Sequence, residues 1–325
     1  LNVYVVGSGA VGRYLGGSLA GMGAAVTYAP RKREDVVPAE ADLAIVAVKS
    51  YDTADAIETL KRALSADSDA TILTPQNGVG NEERLAAAFG ADRIVSAALT
   101  VPVALGDDGR VVASNRGGIA LAPVGGVAHN WLVAAFERTA IPVRVGSDYR
   151  ALKWSKLALN IIANASCAIL DVLPERLVDL DRMFELEVRA VRETRAVMAK
   201  MGIATVDLPR YPVRALFGAV SLPTAAARLV LARRIAGARG RKAPSLLLDL
   251  RAGRTRSEVD VLNGAVVAAG VTVDVPTPVN TAFARVLEDI AATPQLWPTY
   301  RERPGALAAE VDADERRAAG PSRSA

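Results

Sequence analysis

Cysteine, histidine and aromatic residues are scarce in this chain. Its 325 residues include one Cys, one His, five Phe, seven Tyr and three Trp. The lone Cys167 allows no disulfide within the chain, which fits a reducing compartment, and inside an apolar run it reads as a small core residue. One Cys and one His (His129) leave no ligand set for a His/Cys metal site, so no metal is expected. No Gly-x-Ser-x-Gly elbow marks a serine hydrolase. No apolar run is long and uncharged enough to span a bilayer, and the first residues enter a strand without the basic and apolar regions of a secretory signal. Both features point to a cytoplasmic protein with no membrane partner. The net charge of +4 is a mild excess that requires no nucleic-acid partner. Aromatics make up 5% of the chain and hydrophobic residues 51%, so Ala, Val and Leu must build the cores, and the length allows two of them.

The apolar pattern alternates. Strands are expected at residues 2–6, 25–28, 43–48, 70–74 and 93–97, with helices from Gly12 to about residue 22, at 53–64 and at 82–89. That alternation predicts an α/β Rossmann-like domain with a doubly wound, mainly parallel sheet. Between residues 100 and 123, short strand-like runs separated by Gly-Asp and Gly-Gly turns predict an antiparallel extension of the sheet. A helix at 127–138 and a strand at 143–145 close this part. Beyond residue 148 the pattern is almost wholly helical, with helices expected at 151–170, 182–201, 224–236, 245–269 and 278–291. The expected organisation is a dinucleotide-binding domain at 1–148, an all-α C-terminal substrate domain at 149–300 and a disordered tail at 301–325, where no apolar period is evident. The link at 29–42 is near the minimum for a parallel crossover and must be a bare loop or one helical turn.

The first strand runs into Gly7-Ser8-Gly9-Ala10-Val11-Gly12 and then a helix. This is the dinucleotide fingerprint in its required context. Gly7 permits the tight turn, Gly9 the approach of a pyrophosphate, and Gly12 close packing of helix on strand. An NAD site places an acid after the second strand, to bond the ribose 2′-hydroxyl. This chain has Arg31-Lys32-Arg33, whose first guanidinium suits a 2′-phosphate, so NADP(H) is the cofactor expected. Lys49 and Asn77 follow the third and fourth strands, at carboxyl ends that border the ligand crevice in open α/β sheets.

The segment from Trp154 to Asn164 reads as one helix. Lys156, Asn160 and Asn164 recur at i, i+4 and i+8 on one face, with Leu, Ile and Ala around them. Spacing alone leaves two readings open: a buried polar network between helices, or a polar wall in which Lys156 donates a proton or clamps an anion. A basic run (Arg228, Arg233, Arg234, Arg239, Arg241, Lys242) lacks the interleaved aromatics of a nucleic-acid surface and reads as a solvated face.

Taken in order, Gly7-Ser8-Gly9-Ala10-Val11-Gly12, Val48-Lys49-Ser50, Gln76-Asn77-Gly78-Val79-Gly80, Trp154-x-Lys156-x3-Asn160-x3-Asn164, Ser245-x3-Asp249 and Ser257-Glu258-Val259-Asp260-x2-Asn263-Gly264 resemble the ketopantoate reductase (2-dehydropantoate 2-reductase) family over residues 2 to about 290. The resemblance implies a Rossmann domain and a helical domain with the active site in the cleft between them, and NADPH-dependent reduction of a 2-keto acid to a 2-hydroxy acid. It implies that Lys156 is the catalytic lysine and that Glu258 helps hold the reacting oxygen. It makes Asn160, Asn164 and Ser245 substrate-binding residues, with Lys49 and Asn77 near the cofactor and Arg31 on the 2′-phosphate. Helical second domains in such enzymes often pair, so a homodimer is expected. The chain departs from the pattern in its short 29–42 link. Leu173-Pro174 stands where another substrate-binding Asn is common, and Lys242 stands three residues before Ser245. One extra residue before Glu258 would rotate it by about 100° on a regular helix. The nearest rival reading is an NADP-dependent reductase of another 2-keto acid or ketone on the same scaffold. A non-catalytic NADP(H)-binding regulator is a further rival, and it has no use for the lysine–asparagine row or Glu258.

Overall fold

The structure, a computed structural model, describes residues 1–106, 108–238 and 243–319. It divides into two compact units. The first comprises residues 1–156 with 206–212, and the second residues 157–205 with the chain beyond 213. The division therefore falls inside a helix, later than the expected 148/149 boundary. Residues 206–212 belong to the first unit because its polar groups capture their backbone. Val206 N–H donates to Ser155 Oγ (2.9 Å), Thr100 Oγ1 to the Pro209 carbonyl (2.9 Å) and Arg144 Nη1 to the Asp207 carbonyl (2.9 Å).

The first unit contains β1 (Asn2–Val6), α1 (Ala10–Ala20), β2 (Ala25–Tyr28), β3 (Leu43–Val46), α2 (Thr53–Ala63), β4 (Thr71–Thr74), α3 (Asn81–Phe89), β5 (Ile94–Leu99), β6 (Val103–Leu105), β7 (Val111–Ala113), β8 (Ile119–Pro123), α4 (Asn130–Glu137) and β9 (Val143–Val145). A seven-stranded sheet runs β2-β1-β3-β4-β5-β8-β9. Its first five strands are parallel, β8 is antiparallel to β5, and β9 is parallel to β8. Alternation of side chains along β1 divides the core between the two faces. Val3 and Val5 pack with Leu15 and Leu19, while Tyr4 and Val6 pack with Ala56 and Leu60. The antiparallel extension expected at 100–123 is real only in β8. β6 and β7 pair as a separate hairpin. The short link after β2 holds a single 3-10 turn (Arg33–Asp35).

α5 (Tyr149–Ile161) crosses the division. The second unit continues with α6 (Ala165–Leu170), α7 (Pro174–Val178), α8 (Asp181–Lys200), α9 (Val213–Val220), α10 (Thr224–Ala238), α11 (Ser245–Arg251), α12 (Asn263–Thr272), α13 (Pro278–Ala292), α14 (Trp297–Tyr300) and α15 (Pro304–Ala319). α8 packs against α7, α9, α10, α12, α13 and α15.

Three expectations are corrected here. The helix expected at 151–170 breaks at residues 162–164, where Ala163 takes a left-handed φ of +47°. The helix expected at 245–269 ends at Arg251, with Gly253 at φ +69°, and does not resume until Asn263. The tail expected to be disordered is largely α15. Its Leu307 and Val311 are fully buried, on a stripe completed by the small Ala308 and by Asp314. Arg285 of α13 reaches Glu310 (2.8 Å) and Asp314 (3.0 Å), which fixes the helix in place. Residues 320–325 lie outside the described residues.

Candidate active site

Parallel pairing puts the carboxyl ends of β1, β2, β3 and β4 at one edge of the sheet. The registers Val5↔Tyr28, Val6↔Val46 and Ile45↔Leu73 align them. The glycine loop, Arg31, Lys49 and Asn77 follow those four ends, and the order of strands reverses between β1 and β3. Such a switch point is where open α/β sheets bind ligands.

The glycine loop is shaped for a pyrophosphate. Gly7 has φ +108°, and a Cβ there would stand 2.6 Å from the Ala47 carbonyl oxygen. A Cβ on Gly12 would stand 1.9 Å from the Gly7 carbonyl oxygen, so helix and loop touch backbone to backbone. A Cβ on Gly9 would meet nothing within 4 Å. Gly9 is also the N-cap of α1 and supplies no side-chain cap, so open space lies where the first free N–H groups of the helix can receive an anion. Arg13 steadies the loop from α1 by donating Nε–H to the Ser8 carbonyl (2.8 Å). Ala10 and Val11 form the first turn of α1, half-buried, and Arg31 is exposed. These residues fit a dinucleotide.

Asn77 stands on a loop wired to its neighbours. Gln76 Nε2 donates to the Val48 carbonyl (3.2 Å) and to Thr53 Oγ1 (2.8 Å), and Thr74 Oγ1 donates to Gln76 Oε1 (3.0 Å). Thr53 Oγ1 donates to Asn81 Oδ1 (2.9 Å), and Asn81 Nδ2 to the Asn77 carbonyl (3.2 Å). The buried amides therefore set the strand ends that carry Lys49 and Asn77, both partly exposed.

Sequence reasoning missed the next layer. Lys153, one turn before Lys156, is the buried lysine of α5. It is 2% exposed and pairs with Glu82, 1% exposed, at 3.1 Å. Lys153 Nζ also donates to the Gln76 carbonyl, and Ser96 Oγ donates to Glu82 Oε1 (2.8 Å). The signal was present as a lysine on the apolar side of the helix, which needs a partner. At the start of α5, Tyr149 donates its hydroxyl to Glu83 Oε1 (3.1 Å). Burial, then the Glu83 carboxylate, pushes this phenol up to about 12. A folded-state value raised above the free phenol gives stability that is present below pH 10 and lost as pH climbs toward 12. The stability gap between wild type and Tyr149→Phe, read by urea unfolding, should thus narrow between pH 9 and pH 11.5. An unchanged gap would remove the phenol–carboxylate bond as its source.

In the second unit the polar row takes a different form from a straight stripe. Asn160 is half-buried near the end of α5, whereas Asn164 lies past the break, is 2% exposed and is the N-cap of α6. Asn164 Nδ2 donates to the Asn160 carbonyl (3.0 Å) and to Ser245 Oγ (3.5 Å), and its Oδ1 accepts from Leu246 N–H (3.2 Å). Asn160, Asn164 and Ser245 are therefore together, and Asn164 ties α6 to the first turn of α11. The break has its own support. Glu187 of α8, 2% exposed, accepts from Ala163 N–H (2.6 Å) and from Ser166 Oγ. Glu258 is 4% exposed on the irregular segment between α11 and α12, off any helix shared with Ser245. Glu258 therefore has no helical phase in common with Ser245, and the rotation expected on a regular helix does not arise.

Arg228, in the basic run, pairs with Asp181 (2.7 Å) and lies 5.2 Å over the Phe184 ring. The Arg233 and Arg234 side chains and residues 239–242 lie outside the described residues. Among the described residues no helix is long and apolar enough to cross a membrane, and no group of three or more His, Cys, Asp or Glu could hold a metal.

The sequence profile described as ketopantoate reductase PanE/ApbA matches residues 29–126, and the one described as its C terminal matches residues 148–291. The chain is 29% identical over 316 residues to a 2-dehydropantoate 2-reductase of Halobacterium salinarum, covering 87% of this chain and 97% of that protein. A solved ketopantoate reductase of Ralstonia eutropha superposes with a TM-score of 0.74 at 27% identity, covering 91% of this chain and 100% of that one. A D-mandelate dehydrogenase solved with NADH shares the fold alone, at a TM-score of 0.73 and 18% identity, over 90% of this chain and 99% of that one.

Proposed function

The chain belongs to the ketopantoate reductase family, and from that membership we propose that it is an NADPH-dependent oxidoreductase that reduces a 2-keto acid to the 2-hydroxy acid, with 2-dehydropantoate the first substrate to test. The observation that carries the cofactor preference is Arg31. It follows the strand end beside an open glycine cradle, where an NAD site would carry an acid. In this reading the first N–H groups of α1 and the Gly9 backbone hold the pyrophosphate, Arg31 takes the 2′-phosphate, and Lys49 and Asn77 border the cofactor. The bound nicotinamide supplies the hydride that reduces the keto carbon.

The chain's own residues do the rest. The Lys156 ammonium gives a proton to the oxygen as alkoxide charge develops, and Glu258 orients that oxygen or the ammonium. Asn160 and Ser245 bind the acid group, and Asn164, whose amide is bonded within the unit, sets the place of both. The assembly this reading carries is a homodimer. A second reading, reduction of a different 2-keto acid or ketone, draws on Pro174. It is buried at the start of α7, where the family commonly offers a substrate-binding Asn.

Steady-state rates on a panel of branched 2-keto acids, with NADPH and NADH side by side, separate these readings. The highest kcat/KM is expected with 2-dehydropantoate and NADPH. A higher value on another acid selects the second reading, and NADPH binding without oxidation on any acid selects a regulator. Arg31→Ala should weaken NADPH binding by about tenfold or more and leave NADH binding in place, because a charge-assisted bond contributes roughly 1.5–3 kcal/mol. Equal losses for the two cofactors would remove Arg31 from the 2′-phosphate.

A further inference from the structure

Glu258 sits on an irregular segment, yet a residue that orients a reacting oxygen must be held to a fraction of an ångström. Local contacts supply part of the hold. Val259 N–H donates to Ser257 Oγ (3.2 Å), and the Val259 carbonyl accepts from Leu262 N–H (3.2 Å) and Gly264 N–H (2.9 Å). The segment is thereby tied to the first turn of α12, whose first residue is Asn263.

Asn263 is fully buried, and its Nδ2 donates to Asn280 Oδ1 at 2.9 Å. Its own Oδ1 has no partner among the described residues, so the amide is held through that one side-chain bond. Asn280, also fully buried, donates from Nδ2 to the Ala190 carbonyl (3.0 Å) and to Glu193 Oε2 (2.7 Å). Glu193 in turn accepts the backbone N–H groups of Val279 and Asn280, both at 3.0 Å, in the first turn of α13. A run of side-chain bonds thus leads from α8 through α13 to α12 and ends five residues from Glu258. Hydrophobic packing of three helices needs no such amide pair, and an amide oxygen left without a partner in the core is a cost.

We propose that Asn263, anchored by Asn280 and Glu193, is a positioning residue that fixes the Glu258 segment for the reaction. This inference rests on the reductase reading above for its kinetic consequence, and on geometry alone for its structural one.

The test uses the full chain. Asn263→Ala should lower kcat by about 10- to 100-fold, the scale of a small misplacement at a reacting centre. KM for the keto acid should stay near wild type, because Asn160 and Ser245 are held from the separate network around Asn164. Hydrogen exchange should rise over residues 257–266 and stay unchanged over 163–170 and 245–251. Asn263→Asp, equal in size but unable to donate to Asn280 Oδ1, should act in the same direction and serves if the alanine variant does not fold. A folded variant with wild-type kcat, or with unchanged exchange over 257–266, overturns the proposal. Absence of turnover by the wild type on every keto acid would instead sink the reductase reading, and the exchange measurement would still decide the positioning role.

Discussion

Lys156→Ala should lower kcat by about 100-fold or more on every 2-keto acid that the wild type reduces, since a positioned general acid contributes roughly 10²- to 10⁴-fold. The reduced carbonyl leaves an alkoxide that must take up a proton, and Lys156 is the ammonium one helical turn before Asn160. It is half-buried, so solvent can reload it after each turnover. Lys156→Arg keeps the charge but holds its proton too tightly to release it, so it should behave like the alanine variant in kcat. NADPH affinity, read by fluorescence, should stay at the wild-type level in both. A loss within about tenfold would assign Lys156 a binding role, since proton transfer from another donor would then suffice.

Lys153→Met should have the largest effect on stability. Lys153 and Glu82 are buried together at 3.1 Å. Removing one partner of such a pair strands the other charge without water, which costs about 3–5 kcal/mol. For a unit of this size that corresponds to a Tm lower by about 10 °C. The damage should be local to the first unit: the Gln76 carbonyl loses a donor beside the loop that carries Asn77. The double variant Lys153→Met/Glu82→Gln should recover part of the loss, because Ser96 can still donate to the neutral amide oxygen. If Lys153→Met melted with wild type, the pair would contribute nothing net, and Glu82 would have to be held by Ser96 alone.

These two lysines, three residues apart, separate what the sequence could and could not reveal. Strand and helix periods, together with the glycine loop, were sufficient for the doubly wound sheet, the helical second half and the set of strand ends that gathers Arg31, Lys49 and Asn77. Each of these depends on local pattern and on the fixed handedness of parallel crossovers. The i, i+4 spacing of Lys156 and Asn160 was equally local and holds on α5.

Wherever a long-range partner intervenes, the pattern falls short. A straight helix through Asn164 was the local preference, but Glu187 from α8 accepts the Ala163 N–H, and the chain breaks there in a left-handed turn. α11 stops at Arg251, and the segment that follows is tied to α12, so Glu258 needs no helical phase. The terminal segment lacked an obvious period because alanines fill its stripe, and Arg285 on α13 is what gives that stripe a charged rim. The sequence by itself determined the two classes of unit and the glycine loop at the carboxyl end of the first strand, because backbone period and glycine geometry act over a few residues. Only the tertiary structure decided which lysine is buried, where Asn164 points its amide and how the Glu258 segment is held. Those depend on burying polar groups against partners distant in the chain, and a buried polar group left unpaired is costly.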